Sequence, residues 1–225
     1  MSVGRLGVVV ACILGGPVSA TWAQSAAGPV DVMCPKVNLA RKAASVDCGS
    51  LCGTDRWGIK TLSDRMRRQV TGPPVLTTVA ALAAIPRPSR RPQQTRLAPV
   101  ERTIYCVEAW LLTWEDQEDE DVHIVLMDPQ DGRTTMIAEI PQSRCAGACS
   151  SGYAHLFTAA RNALRRGIAA ATADTVRVRV MGVGFFDKDH GQTWAAPNFV
   201  ELHPVLGIEF PRARRPRRGD QDLDP

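Results

Sequence analysis

Beyond its first two dozen residues the chain has no apolar run long enough to cross a membrane, which excludes a helical span in the body of the protein. Its four histidines form no HExxH or comparable spaced motif, so a zincin-type site is excluded. The acidic run 115–121, EDQEDED, lacks the glycine and the distal glutamate of an EF-hand loop and reads as a solvated turn. Cys48-x3-Cys52 and Cys145-x3-Cys149 have formal zinc spacing, but without the glycines and flanking basic residues of a zinc ribbon. Basic charge is missing where a nucleic-acid platform would need it. Residues 101–210 carry nine basic and sixteen acidic side chains, while the stretches on either side are basic and bring the whole chain to +4.

The N-terminus has the pattern of a targeting segment. Arg5 supplies a positive charge, residues 6–16 are apolar, and small residues end at Ala20 and Ala23. These predict a secretory signal peptide over 1–23, with an uncleaved anchor or a lipoprotein on Cys12 as the alternatives. The expected location is secreted or periplasmic. Six further cysteines remain: Cys34, Cys48, Cys52, Cys106, Cys145 and Cys149. An even number in an oxidising compartment favours disulfides over a four-cysteine zinc site, with the pairing left open. A bridge from the Cys48/Cys52 region to the Cys145/Cys149 region would tie the N-terminal arm to the main domain.

Residues 24–99 read as an arm and linker. Residues 56–64, RWGIKTLSD, alternate apolar and polar and suggest a short strand or a docking segment. A short helix over 77–85 would be capped by Thr77 or Thr78. Residues 86–99, rich in proline and arginine, suggest an extended linker with solvated arginines. The tail 211–225, with its arginines and aspartates, is expected to be disordered.

The main domain is expected over 100–210. Strands are predicted at 103–114, 122–128, 134–140, 175–183 and 200–210, with PQDG at 129–132 as a turn. Leu156, Phe157, Ala160, Leu164 and Ile168 form one helical stripe between the third and fourth strands. The fold class is therefore mainly β with one helix. The order β-β-β-α-β-β is that of an OB-fold-like five-stranded barrel, with a small α+β sandwich as runner-up. Gly182 and Gly184 suit strands that curl sharply, and Pro204 in the last strand implies an edge, a bulge or a barrel seam.

Candidate chemistry is carried by His123, Glu139, His190 and His203 as acid/base groups and by Asp128, Asp187 and Glu201 as ligands for a divalent cation. Glu201 and His203 share one strand face, because side chains two apart point the same way. Hydrogen-bonded structural histidines are the plain alternative.

Residues 56–64 together with 182–210, GVGFFDKDHGQTWAAPNFVELHPVLGIEF, resemble a group of uncharacterised exported bacterial proteins. Their ends follow GVGFFDxxHGQxGxAPNxxELHPVL. The likeness covers roughly residues 52–210 and implies a shared fold and export, with no activity to carry over; Trp194 stands where the pattern has glycine. A fainter similarity in element order is to thermonuclease-like barrels, which use acidic residues for calcium and arginines for phosphate. Asp121, Asp128 and Glu139 would stand in for the acids, but no arginine pair is recognisable beyond Arg133 and Arg144.

Two functions follow as expectations. One is an exported binding or interaction module for a protein or small-molecule ligand, monomeric, with nucleic acid disfavoured by the acidic barrel. The other is a metal-dependent hydrolase, a nuclease or phosphodiesterase, using the residues above.

Overall fold

The computed structural model describes residues 34–40 and 47–211. The expected signal peptide, part of the arm and the tail beyond 211 lie outside the described residues.

Five strands form the barrel: β2 (Ile104–Asp116), β3 (Val122–Met127), β4 (Thr135–Ile140), β5 (Val176–Phe186) and β6 (Val200–Glu209). A short β1 (Val75–Thr77) runs parallel to β2. The barrel order is β2-β3-β4-β6-β5, and β5 returns to β2 to close it. β4 and β6 pair in parallel through Ile137–Glu201 and Ala138–Leu202, while the other barrel pairs are antiparallel. Closure is possible because β2 is thirteen residues long: Ile104–Leu111 pairs with β5 and Trp110–Asp116 with β3. The architecture is the OB-fold-like barrel expected from the sequence.

Alternation along the strands sorts their two faces. Val122, Ile124 and Leu126 of β3, Met136, Ala138 and Ile140 of β4, and Val200 and Leu202 of β6 join one apolar core. Helix α3 (Ala154–Ala169) adds Leu156, Phe157, Ala160 and Leu164 to it, the stripe read from the sequence. Gly184 is required where β5 passes Val100: a Cβ there would lie 2.6 Å from the Val100 carbonyl oxygen. The β5–β6 register shifts at Gly182, beside Pro204, which matches the irregularity that proline implied.

The N-terminal segments are packed onto this barrel. α1 (Trp57–Lys60) is a single helical turn, not the strand that the alternation of 56–64 suggested. Its chain folds back at once, with the Ser63 and Asp64 amides both donating to the Gly58 carbonyl. The apparent alternation instead reflects docking: Trp57, Ile59 and Leu62 are all buried. α2 (Val79–Ala83) is capped by Thr78, whose hydroxyl accepts from the Ala81 amide.

The expectation of solvated arginines in 86–99 holds for Arg87 and Arg90, which are exposed, but not for Arg96. Arg96 is only 1% exposed; it pairs with Asp64 at 2.6 Å and donates to the carbonyls of Glu101 and Ile59. Arg56 is equally enclosed: it forms a two-pronged pair with Glu101, both contacts 2.6 Å, and donates to Pro92 and Thr95 carbonyls. A buried guanidinium is tolerable only when its donors are matched in this way. The proline-rich stretch is thus a strap wound around two arginines.

Three disulfides complete the frame: Cys34–Cys106, Cys48–Cys149 and Cys52–Cys145. Two of them join the arm to the loop before α3, as expected, and they leave no thiolates for a zinc site at those four cysteines. No helix among the described residues is long and apolar enough to cross a membrane.

Candidate functional site

The residues of β3, β4 and β6 that alternate with the core positions form a second face, on which polar side chains gather beside the apolar Val125 and Ile137. His123 stands opposite Glu139 in the β3–β4 ladder, and Glu201 stands opposite Ile137 of β4 and Phe185 of β5. Asp121, just before β3, and His203, two residues after Glu201, belong to the same face. α1 covers it, bringing Lys60 over the Phe185 ring at 5.3 Å, while His203 meets that ring edge-on with centroids 5.7 Å apart.

His203 is fully buried between two carboxylates. Its Nδ1 lies 2.7 Å from Glu139 Oε2 and its Nε2 lies 3.3 Å from Asp121 Oδ2. His123 Nδ1 reaches the other oxygen of Glu139 at 3.2 Å. The Lys60 ammonium sits 3.8 Å from Glu139 and 3.7 Å from Asp187. Asp187 also meets His190 Nε2 at 3.0 Å and Arg91 at 3.7 Å.

Protonation follows from this arrangement. Burial pulls the His203 pKa down, but Glu139 and Asp121 outweigh it and hold the ring protonated up to about 9. Burial raises Glu139, yet the neighbouring His203, His123 and Lys60 bring it well below the usual carboxylate range. For Glu201 burial comes first, and with the adjacent Glu139 and Asp187 it outweighs the pull of Lys60 and His203 and pushes the carboxyl well above that range. Burial works against the Lys60 charge, but Glu139, Glu201, Asp187 and Asp121 more than compensate and raise it.

The cluster opens into a cleft of about 640 Å³ between two loops. One is the β2–β3 loop with Gln117, Glu118 and Asp119; the other is the β5–β6 loop with His190, Gly191, Gln192 and Thr193. OB folds bind ligands with these two loops and the barrel face between them. A smaller cleft of about 340 Å³, reaching Asp55, Trp57 and Lys188, shares Lys60, Asp119, Asp187 and His190 with it.

Of the residues singled out from sequence, His123, Glu139, Glu201 and His203 meet on this face, and Asp187 and His190 border it. Asp128 does not join them. It is buried at the far end of β3, where its Oδ2 accepts from the Ala80 amide in the first turn of α2 and its Oδ1 accepts from Gln130. A carboxylate there satisfies helix-end donors and closes a turn. The acidic run likewise is not wholly solvated: Asp121 is 1% exposed and part of the site. Sequence reading missed Lys60 and Arg91 as site members. Nothing in their local pattern could have placed them, since Lys60 arrives through the docking of α1 and Arg91 through the packing of the strap.

No family model matches the chain, and no curated protein matches it. Among solved structures it is similar to the OBody AM2EP06 bound to hen egg-white lysozyme, at 12% identity and a TM-score of 0.31, covering 48% of this chain and 78% of the other. It is also similar to a protein described as an aspartyl-tRNA synthetase from Leishmania major Friedlin, at 14% identity and a TM-score of 0.34. That match covers 64% of this chain but only 22% of the synthetase chain.

Proposed function

We propose that the protein is an exported binding module, secreted or periplasmic, whose ligand seat is the acidic cleft between the β2–β3 and β5–β6 loops. The observation that carries this is the charge of the cleft. Glu115, Glu118, Asp119, Glu139 and Asp187 line it against a single lysine, Lys60. Low-dielectric walls focus such a field and favour a small, positively charged ligand while repelling phosphodiesters. Three disulfides support an oxidising compartment, and the barrel needs no partner chain to close.

The reading is tested by titrating the disulfide-bonded protein with spermidine and, separately, with a single-stranded oligonucleotide. Saturable spermidine binding that weakens with salt, and that drops several-fold in Glu118→Gln and Asp119→Asn, is expected. Oligonucleotide binding with no response to spermidine would sink the reading.

A second reading, a metal-dependent hydrolase, is favoured by one observation. Asp121, Glu139 and His203 place ligand atoms within 4.8 Å of one another, and Glu139 lines the same cleft. Turnover of an ester or phosphodiester that requires added metal and disappears in Glu139→Gln, with the fold intact, would replace the binding reading by this one.

A further inference from the structure

Buried polar atoms are almost always hydrogen-bonded, and an unmet one costs about 1–3 kcal/mol. Among the described residues, five buried side-chain atoms without a hydrogen bond fall in this one cluster: Asp121 Oδ2, Asp187 Oδ1, Glu201 Oε2 and both ring nitrogens of His203. The two contacts of His203 are short, but neither has the alignment of a hydrogen bond. An imidazolium held between carboxylates for structural reasons would aim its N–H groups at them.

The remaining oxygens are already engaged. Asp121 Oδ1 accepts from the Gln142 amide at 3.2 Å, which leaves Oδ2 turned to His203. Glu139 Oε1 is held by His123, which leaves Oε2 turned to His203 from the other side. Lys60 stays at 3.8 Å from Glu139, so it balances charge without occupying that oxygen. Asp121 Oδ2 and Glu139 Oε2 are thus both turned to the His203 ring while the other oxygen of each carboxylate is tied down, the way outer partners orient metal ligands.

We propose that Asp121, Glu139 and His203 bind one divalent transition-metal ion beneath the cleft, behind Glu139, which lines it. The proposal rests on the cleft being the working site, and it names the cation that sits beneath it. An imidazole with carboxylates suits zinc or manganese, whereas calcium and magnesium take oxygen-only shells. Tetrahedral zinc with bonds near 2.0 Å sets its ligand atoms about 3.3 Å apart, so atoms now within 4.8 Å need close by at most about 1.5 Å. The other convergent group, Cys52, Glu120 and Cys145, is no competitor, because its sulfurs form a disulfide.

The test uses the whole disulfide-bonded protein after chelation. Zn²⁺, Mn²⁺ and Ca²⁺ are titrated singly by calorimetry and by melting temperature, and crystals grown with Zn²⁺ are read for anomalous scattering. One equivalent of Zn²⁺ or Mn²⁺, a raised melting temperature, no response to Ca²⁺, and a zinc peak within bonding distance of His203 are expected. Asp121→Asn and Glu139→Gln should each weaken the site at least tenfold, while Arg165→Ala, on the exposed outer face of α3, leaves it unchanged. Absence of stoichiometric Zn²⁺ and Mn²⁺ binding, or a peak away from His203, would overturn the proposal even if both variants fail to fold. Spermidine binding without metal binding would leave the module reading standing and remove only this inference.

Discussion

His203 Nδ1 lies 2.7 Å from Glu139 Oε2, across the parallel seam where β6 joins β4. The parallel pairing is short, involving Ile137–Glu201 and Ala138–Leu202, so the two side chains meet at the point where one strand leaves the other. A polar cluster can be buried there because α1 closes over it and Phe185 walls it in.

The charges of this pair set a pH profile for the metal-free protein. His203 is raised from an ordinary value of 6.5 to about 9, so its stabilisation is complete below 6.5 and is lost as pH climbs through 9. Glu201, raised above 4.5, favours the folded state less as pH rises past its ordinary value. Glu139 is lowered, so its contribution is present above 4.5 and is lost as pH falls through its folded value. Stability after chelation should therefore peak in mild acid and decline toward pH 9. Melting temperatures across that range check it, and a rise from pH 6.5 to 9 would show that the ring is not protonated in the fold.

Arg56 and Glu101 hold the strap to the barrel through a pair that is wholly buried. Removing one partner strands the other charge, so Glu101→Gln should cost about 3–5 kcal/mol. Replacing Arg165, which meets Asp116 at the exposed surface, should cost less than about 1 kcal/mol. Denaturant unfolding of the two variants distinguishes a strap fastened by ions from one fastened by apolar packing alone.

Asp128 is an internal control for the site. Asp128→Ala should lower stability by about 1–2 kcal/mol through loss of the α2 end contact and the turn. It should leave ligand and metal binding at the cleft unchanged. Lost binding with a normal melting temperature would return Asp128 to the functional set.

The Cys48–Cys149 bridge closes a separation of 101 residues. A Cys48→Ala/Cys149→Ala double variant should lose about 2–5 kcal/mol. Calorimetric or denaturant unfolding checks it, and an unchanged midpoint would mean that Cys52–Cys145 alone fixes that end of the arm.

The strand order and α3 were legible because their signals are local. Alternation, a turn at 129–132 and one helical stripe each lie within a few residues of sequence. The pairing of Glu201 with His203 was legible for the same reason. Asp128 misled because a buried turn carboxylate and a metal ligand look alike in sequence; only the position of α2 tells them apart. The Asn198 side chain donates to the Leu82 and Ile85 carbonyls at the end of α2, contacts 116 and 113 residues apart that no local pattern carries. Arg96 and Arg56 read as solvated or unremarkable because their partners, Asp64 and Glu101, stand 32 and 45 residues away. Lys60 reaches the site by the same long-range docking.

Amide chemical-shift mapping of the isotopically labelled protein during a spermidine titration tests the central claim most directly. The account predicts saturable shifts confined to Glu118, Asp119, His123, Glu139, His190 and their neighbours, reversed by salt. Shifts centred instead on α3 or on β1, or none at any concentration, would contradict a ligand seat in the acidic cleft.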